Sequence, residues 1–84
     1  MTQVIVHLHL FAIFRDTIGA DHILLEMPAG STVTDLRQEL SQRWPTLQNL
    51  LERSAIAINQ EYVSAHHVLS SDDEVALIPP VSGG

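Results

Sequence analysis

Residues 31–44 read STVTDLRQELSQRW, and here the spacing of apolar residues changes from two to between three and four. Val33, Leu36, Leu40 and Trp44 recur at helical intervals, which predicts one helix with a single apolar stripe. Thr32 is placed to cap it, because its hydroxyl can accept the backbone N–H of Asp35. The Asp35 carboxylate, in the first turn, suits the positive end of the helix dipole. Pro45 closes the element.

On the N-terminal side the period is two. Val4, Val6, Leu8 and Leu10 alternate with Ile5, His7 and His9, as in a strand with one buried face. A short loop through Arg15 and Gly19 leads to DHILLEM, residues 21–27, where Ile23, Leu25 and Met27 oppose His22, Leu24 and Glu26. This is the second arm of a hairpin, ended by Pro28 and Gly30.

On the C-terminal side TLQNLLE, residues 46–52, suits a short helical turn through Leu47, Leu50 and Leu51. SAIAINQ then reads as a strand with Ile56 and Ile58 inward, bending at Asn59 and Gln60. A short strand over residues 61–63, a polar SSDD turn and the run EVALIPP follow, with Val75 and Leu77 facing the core. The order strand, strand, helix, strand, short strand, strand predicts an α+β protein of the β-grasp, ubiquitin-like type. Its mixed sheet of about five strands has one long helix packed on one face, leaving the other face free for a partner. Residues 1–79 are expected to form this domain and residues 80–84 a flexible Gly-Gly tail.

Eighty-four residues allow one modest core, and the 45% apolar fraction can fill it. The absence of cysteine removes disulfides, thiolate metal sites, persulfide chemistry and a nucleophilic thiol. Ten acidic side chains against four arginines give a net charge of −6, and lysine is absent. Such a chain repels phosphate backbones, so no nucleic-acid partner is expected. No apolar run approaches the roughly 20 residues that span a bilayer, so the expectation is a cytoplasmic protein without a membrane partner.

Candidate side-chain chemistry is sparse. His7 and His9 share one face of a strand, but further metal ligands would have to come from His22, His66 or His67, and nothing in the sequence orients them. No metal site is expected. Asp72, Asp73 and Glu74 lie where successive side chains diverge, which suits turn formation. Ser82 has no base placed by a motif, and there is no glycine-rich phosphate loop.

The tail is different. Pro79, Pro80 and Val81 stiffen the exit from the last strand, and Ser82, Gly83 and Gly84 present a narrow cross-section suited to insertion into a tight channel. The one reactive group at that tip is the α-carboxylate of Gly84. Activated by a nucleotide, it becomes an acyl donor, and a sulfur nucleophile then leaves a thiocarboxylate.

Four segments carry a family resemblance: LFAIFRDTIG at residues 10–19, STVTDLRQEL at 31–40, INQEYVS at 58–64 and DEVALIPPVSGG at 73–84. Over essentially its whole length the chain resembles the small sulfur-carrier subunits of molybdopterin synthase, in the broader MoaD and ThiS group of ubiquitin-like carriers. The resemblance implies that a ubiquitin-activating-like adenylyltransferase uses ATP to adenylate Gly84, and that a sulfur donor protein supplies sulfur. No stably bound cofactor is implied. The carrier then docks on the large synthase subunit in a heterotetramer, and its thiocarboxylate converts cyclic pyranopterin monophosphate into the dithiolene of molybdopterin. By the same analogy the catalytic side chains belong to the large subunit.

The family's apolar docking patch maps onto Phe11, Tyr62 and Ile78, and strand parity independently turns Phe11 and Ile78 away from the helix. Arg15 fits either an ion pair that shapes its loop or a contact to a partner. The alternatives are a carrier for thiamine or cysteine synthesis, a protein modifier conjugated through Gly84, and a plain β-grasp binding module.

Overall fold

The structure, a computed structural model, describes residues 3–71 and 73–80. Its sheet has five strands in the order β2-β1-β5-β3-β4. Strand β1 (Gln3–Leu10) pairs antiparallel with β2 (His22–Pro28), in a register running from Gln3 opposite Pro28 to His9 opposite His22. On its other edge β1 runs parallel to β5 (Glu74–Ile78), with His7 beside Glu74 and Leu10 beside Leu77. Strand β3 (Ala55–Ile58) lies antiparallel to β5, and the two-residue β4 (Glu61–Tyr62) closes the far edge. The parallel contact at the centre makes this a mixed sheet of the β-grasp, ubiquitin-like kind.

Alternation in the sequence becomes burial. Val6, Leu8 and Leu10 of β1 and Val75 and Leu77 of β5 are almost fully covered, together with Leu25, Met27, Ile56 and Ile58. They meet Val33, Leu36 and Leu40 of the helix α2 (Val33–Arg43) in one apolar cluster. Covering each such side chain contributes about 1.5–3 kcal/mol before chain entropy is charged against it.

The cap on α2 is reciprocal, as its sequence predicts. The Asp35 N–H donates to the Thr32 hydroxyl at 3.3 Å, and the Thr32 N–H donates to the Asp35 carboxylate at 2.9 Å. Past Trp44 a 3₁₀ turn (Pro45–Leu47) leads into α3 (Gln48–Arg53), which fulfils the helical turn expected there and buries Leu47 and Leu51. The Arg37 guanidinium on α2 donates to the Leu51 carbonyl and so ties the two helices; its partial burial lowers its pKa from the ordinary value.

One element departs from expectation. The stretch anticipated as a loop through Arg15 and Gly19 is a seven-residue helix, α1 (Ala12–Ile18), so the described residues form three α-helices, of which α2 is the longest. Its reason is Phe14, which plugs one end of the core with no exposed surface. Gly19, at φ 88°, ends the helix by donating its N–H to the Arg15 carbonyl at 2.8 Å. Among the described residues no helix is long and apolar enough to cross a membrane.

Candidate functional site

Strand β5 carries the route to the expected tail. It is flanked by β1 and β3, and its Leu77 is fully buried, so the chain leaves the sheet from a strand held on both edges. Ile78, Pro79 and Pro80 are half-buried at this exit. Val81, Ser82, Gly83 and Gly84, expected as the reactive end, lie outside the described residues.

The face of the sheet opposite α2 holds the expected docking residues. Tyr62 opposes Ala57, Ala57 opposes Ala76, Ala76 lies beside His9 and His9 opposes His22, so one row of side chains crosses all five strands. Ile56 and Ile58 point into the core, so Ala57 and its row point outward. Ile78 sits two residues along β5 from Ala76 on the same side. Phe11 follows Leu10, the partner of Leu77, and so emerges next to Ile78. Phe11 is 48% exposed and Tyr62 74%, an uncovered apolar pair beside the exit of the chain.

Beside Phe11 on this face lies a shallow depression of about 430 Å³, lined by His9, Phe11, Asn59, Gln60, Glu74 and Ala76. Its β3–β4 rim is rigid. The Asn59 carboxamide donates to Asp73 at 3.1 Å and accepts the Glu74 N–H at 3.1 Å, while the Asn59 N–H donates to the Glu74 carbonyl at 2.9 Å. Asp73 also accepts the Ser70 N–H at 3.2 Å, which bears out its role as a turn former. Asp72 lies outside the described residues.

The β1–β2 half of the same face is histidine-rich. His22 stacks on His9 with ring centroids 4.9 Å apart and on His7 at 5.9 Å, and His9 Nε2 is 3.7 Å from Glu74. His22 therefore does join His7 and His9, as one candidate third ligand. The rings lie face to face, however, and among the described residues no group of three or more ligating side chains could hold a metal ion. Arg15 pairs with Asp16 at 3.6 Å on exposed α1, a contact of the kind that contributes little to stability.

Residues 8–84 match the ThiS family, a span that runs from Leu8 near the end of β1 through β5 to Gly84. The chain belongs to the ThiS family. This ThiS-family chain is 42% identical to the molybdopterin synthase sulfur carrier subunit of Dictyostelium discoideum over 78 residues, covering 89% of this chain and 91% of that protein. A solved Pyrococcus furiosus structure, described as a candidate molybdopterin converting factor subunit 1, superposes with a TM-score of 0.82 at 34% identity, covering 93% and 99% of the two chains. The fold is also that of a chain in a Helicobacter pylori complex of subunits 1 and 2 of the molybdopterin-converting factor, at a TM-score of 0.65, 23% identity and coverage of 96% and 100%.

The structure of this ThiS-family member thus brings Phe11, Tyr62 and Ile78 to one face and leads Pro79 and Pro80 away beside them. The depression at Asn59, Gln60 and Glu74 was not foreseen. Its signal in the sequence was the Asn-Gln pair at the hairpin bend, where Asn-Gly is the usual pair for a two-residue turn.

Proposed function

We propose that this chain is the sulfur carrier subunit of a molybdopterin synthase. The observation that carries the proposal is its 42% identity, along nearly the whole of both chains, to a protein of that description. The geometry agrees with it: a chain end led out of the central strand, next to an exposed apolar face, can be held and threaded by a second protein.

In the proposed cycle an activating enzyme transfers the adenylyl group of ATP to the Gly84 carboxylate, releasing pyrophosphate. Sulfide-level sulfur released by a donor protein attacks the acyl carbon, AMP leaves, and the terminus is left as a thiocarboxylate. Phe11, Tyr62 and Ile78 dock on the large subunit, while Pro79, Pro80, Val81, Ser82 and Gly83 thread the terminus into that subunit's active site, where the catalytic side chains reside. Each thiocarboxylate supplies one sulfur to cyclic pyranopterin monophosphate, and hydrolysis restores the carboxylate. Two carriers serve a large-subunit dimer in the cytoplasm, and the carrier itself keeps no bound cofactor.

The test is intact mass measurement after incubation with the activating enzyme, ATP and a sulfur source. The expected result is one oxygen-to-sulfur exchange, absent when Gly84 is deleted. Larger covalent conjugates in place of that exchange would point to a protein modifier. Sulfur loading without dithiolene formation on the large subunit would point to a carrier of another pathway.

A further inference from the structure

Three non-glycine residues among those described have left-handed backbones: Ala12 at φ 53°, Asn59 at φ 52° and Gln60 at φ 72°. Two of them line one feature and the third adjoins a residue that lines it. Asn59 and Gln60 line the depression on the outer face of the sheet, and Ala12 directly follows Phe11, which lines it from the opposite side. Backbone strain that gathers around a concave surface points to a binding role for that surface.

Asn59 accounts for itself. Asparagine tolerates the left-handed region, and its side chain is held by Asp73 and Glu74. Gln60 has no such account. With Ile58 paired to Glu61, Asn59 and Gln60 form a two-residue hairpin turn with both φ values positive, and its second position favours glycine strongly. Yet a glutamine stands there, exposed, with its carboxamide hydrogen-bonded to none of the described residues.

We propose that Gln60 is a recognition residue for the large subunit, retained against local stability because its carboxamide hydrogen-bonds a main-chain peptide group of that partner. This rests on the reading of the chain as a carrier that docks on a large synthase subunit. The depression receives an apolar side chain of the partner between Phe11 and Ala76, and Gln60 holds the peptide beside it. A carboxamide offers both a donor and an acceptor, so it can satisfy the N–H and C=O of an extended segment together. Being neutral, it does so amid Glu61, Asp73 and Glu74 without adding charge. The depression is continuous with the Phe11, Tyr62 and Ile78 face, which makes the large subunit its occupant. A second copy of this chain would bring −6 against −6. The Asn59 contacts hold the turn rigid before binding, so little ordering is left to be done on docking.

The experiment compares the full chain with Gln60→Gly and Gln60→Glu, measuring melting temperature and the Kd for purified large subunit by calorimetry. Gln60→Gly relieves the backbone and should melt about 4 °C higher, yet bind about tenfold more weakly. Gln60→Glu keeps the size and the strained backbone but loses the donors and adds a charge beside Glu61, Asp73 and Glu74, so it should melt no higher than the parent and also bind about tenfold more weakly. A Gln60→Gly chain that binds within twofold of the parent, or that gains no stability, overturns the assignment of Gln60 while leaving the carrier reading intact. If the parent chain itself fails to bind the large subunit, the carrier reading falls, and this inference falls with it.

Discussion

Replacing Tyr62 with alanine separates docking from folding. Tyr62 is 74% exposed in the free domain and sits on the two-residue edge strand, so most of its surface is still available to a partner. A covered tyrosine buries some 150–250 Å², which leaves about 150 Å² to be removed from water on docking. At about 25 cal/mol per Å² that area corresponds to an upper limit near 4 kcal/mol. Immobilising the ring and retaining the alanine methyl reduce this to about 2 kcal/mol, or roughly 30-fold in Kd. The quarter already buried stabilises the fold by no more than about 1 kcal/mol, so the melting temperature should fall by less than about 8 °C. Calorimetric titration of Tyr62→Ala into the large subunit, beside a thermal melt, measures both quantities. A Kd within threefold of the parent would refute the placement of Tyr62 in the docking face, and a collapse of the fold would refute the burial argument.

Other substitutions test the scaffold, each by thermal melt. Leu77→Ala leaves a cavity in the fully buried central strand and should cost about 2–5 kcal/mol, a large part of the stability of so small a domain. Thr32→Ala removes the capping hydroxyl from α2 and should cost about 1 kcal/mol, with binding to the large subunit unchanged. Gly19→Ala meets no atom within 4 Å, so its cost is that of the left-handed backbone alone, about 1 kcal/mol. Arg37→Met leaves the Leu51 carbonyl without its side-chain donor and should lower stability by about 1 kcal/mol.

Where one residue's neighbours in sequence are also its neighbours in space, the pattern of residues was sufficient. Val6, Leu8 and Leu10 announce an inward face by alternation alone, and Thr32 with Asp35 announces a cap across three residues. Helix α1 was hidden because it is under two full turns, lacks a side-chain cap and turns only Phe14 and the partly buried Ile18 inward, a single i, i+4 pair too short to read as a period. The parallel contact of β1 with β5 joins His7 to Glu74 across most of the chain, a pairing that no local pattern encodes. Within the candidate site, Phe11 and Ile78 could be placed by parity, but the depression beside Phe11 depends on β3, β4 and β5 meeting at Asn59. The left-handed torsion of Gln60 follows from the bend at Asn59 and Gln60, whereas that of Ala12 is a property of the folded chain of which its residue type gives no warning.

The position of β5 has a mechanical consequence. A partner that grips the chain beyond Ile78 while the sheet face is seated pulls along the axis of a strand laced to a neighbour on each edge. Such a load shears both ladders at once, so many hydrogen bonds share the tension, whereas a terminal edge strand would peel away rung by rung. A tug on the tail is thereby transmitted to the whole body, and the protein can be hauled in by its end without unravelling.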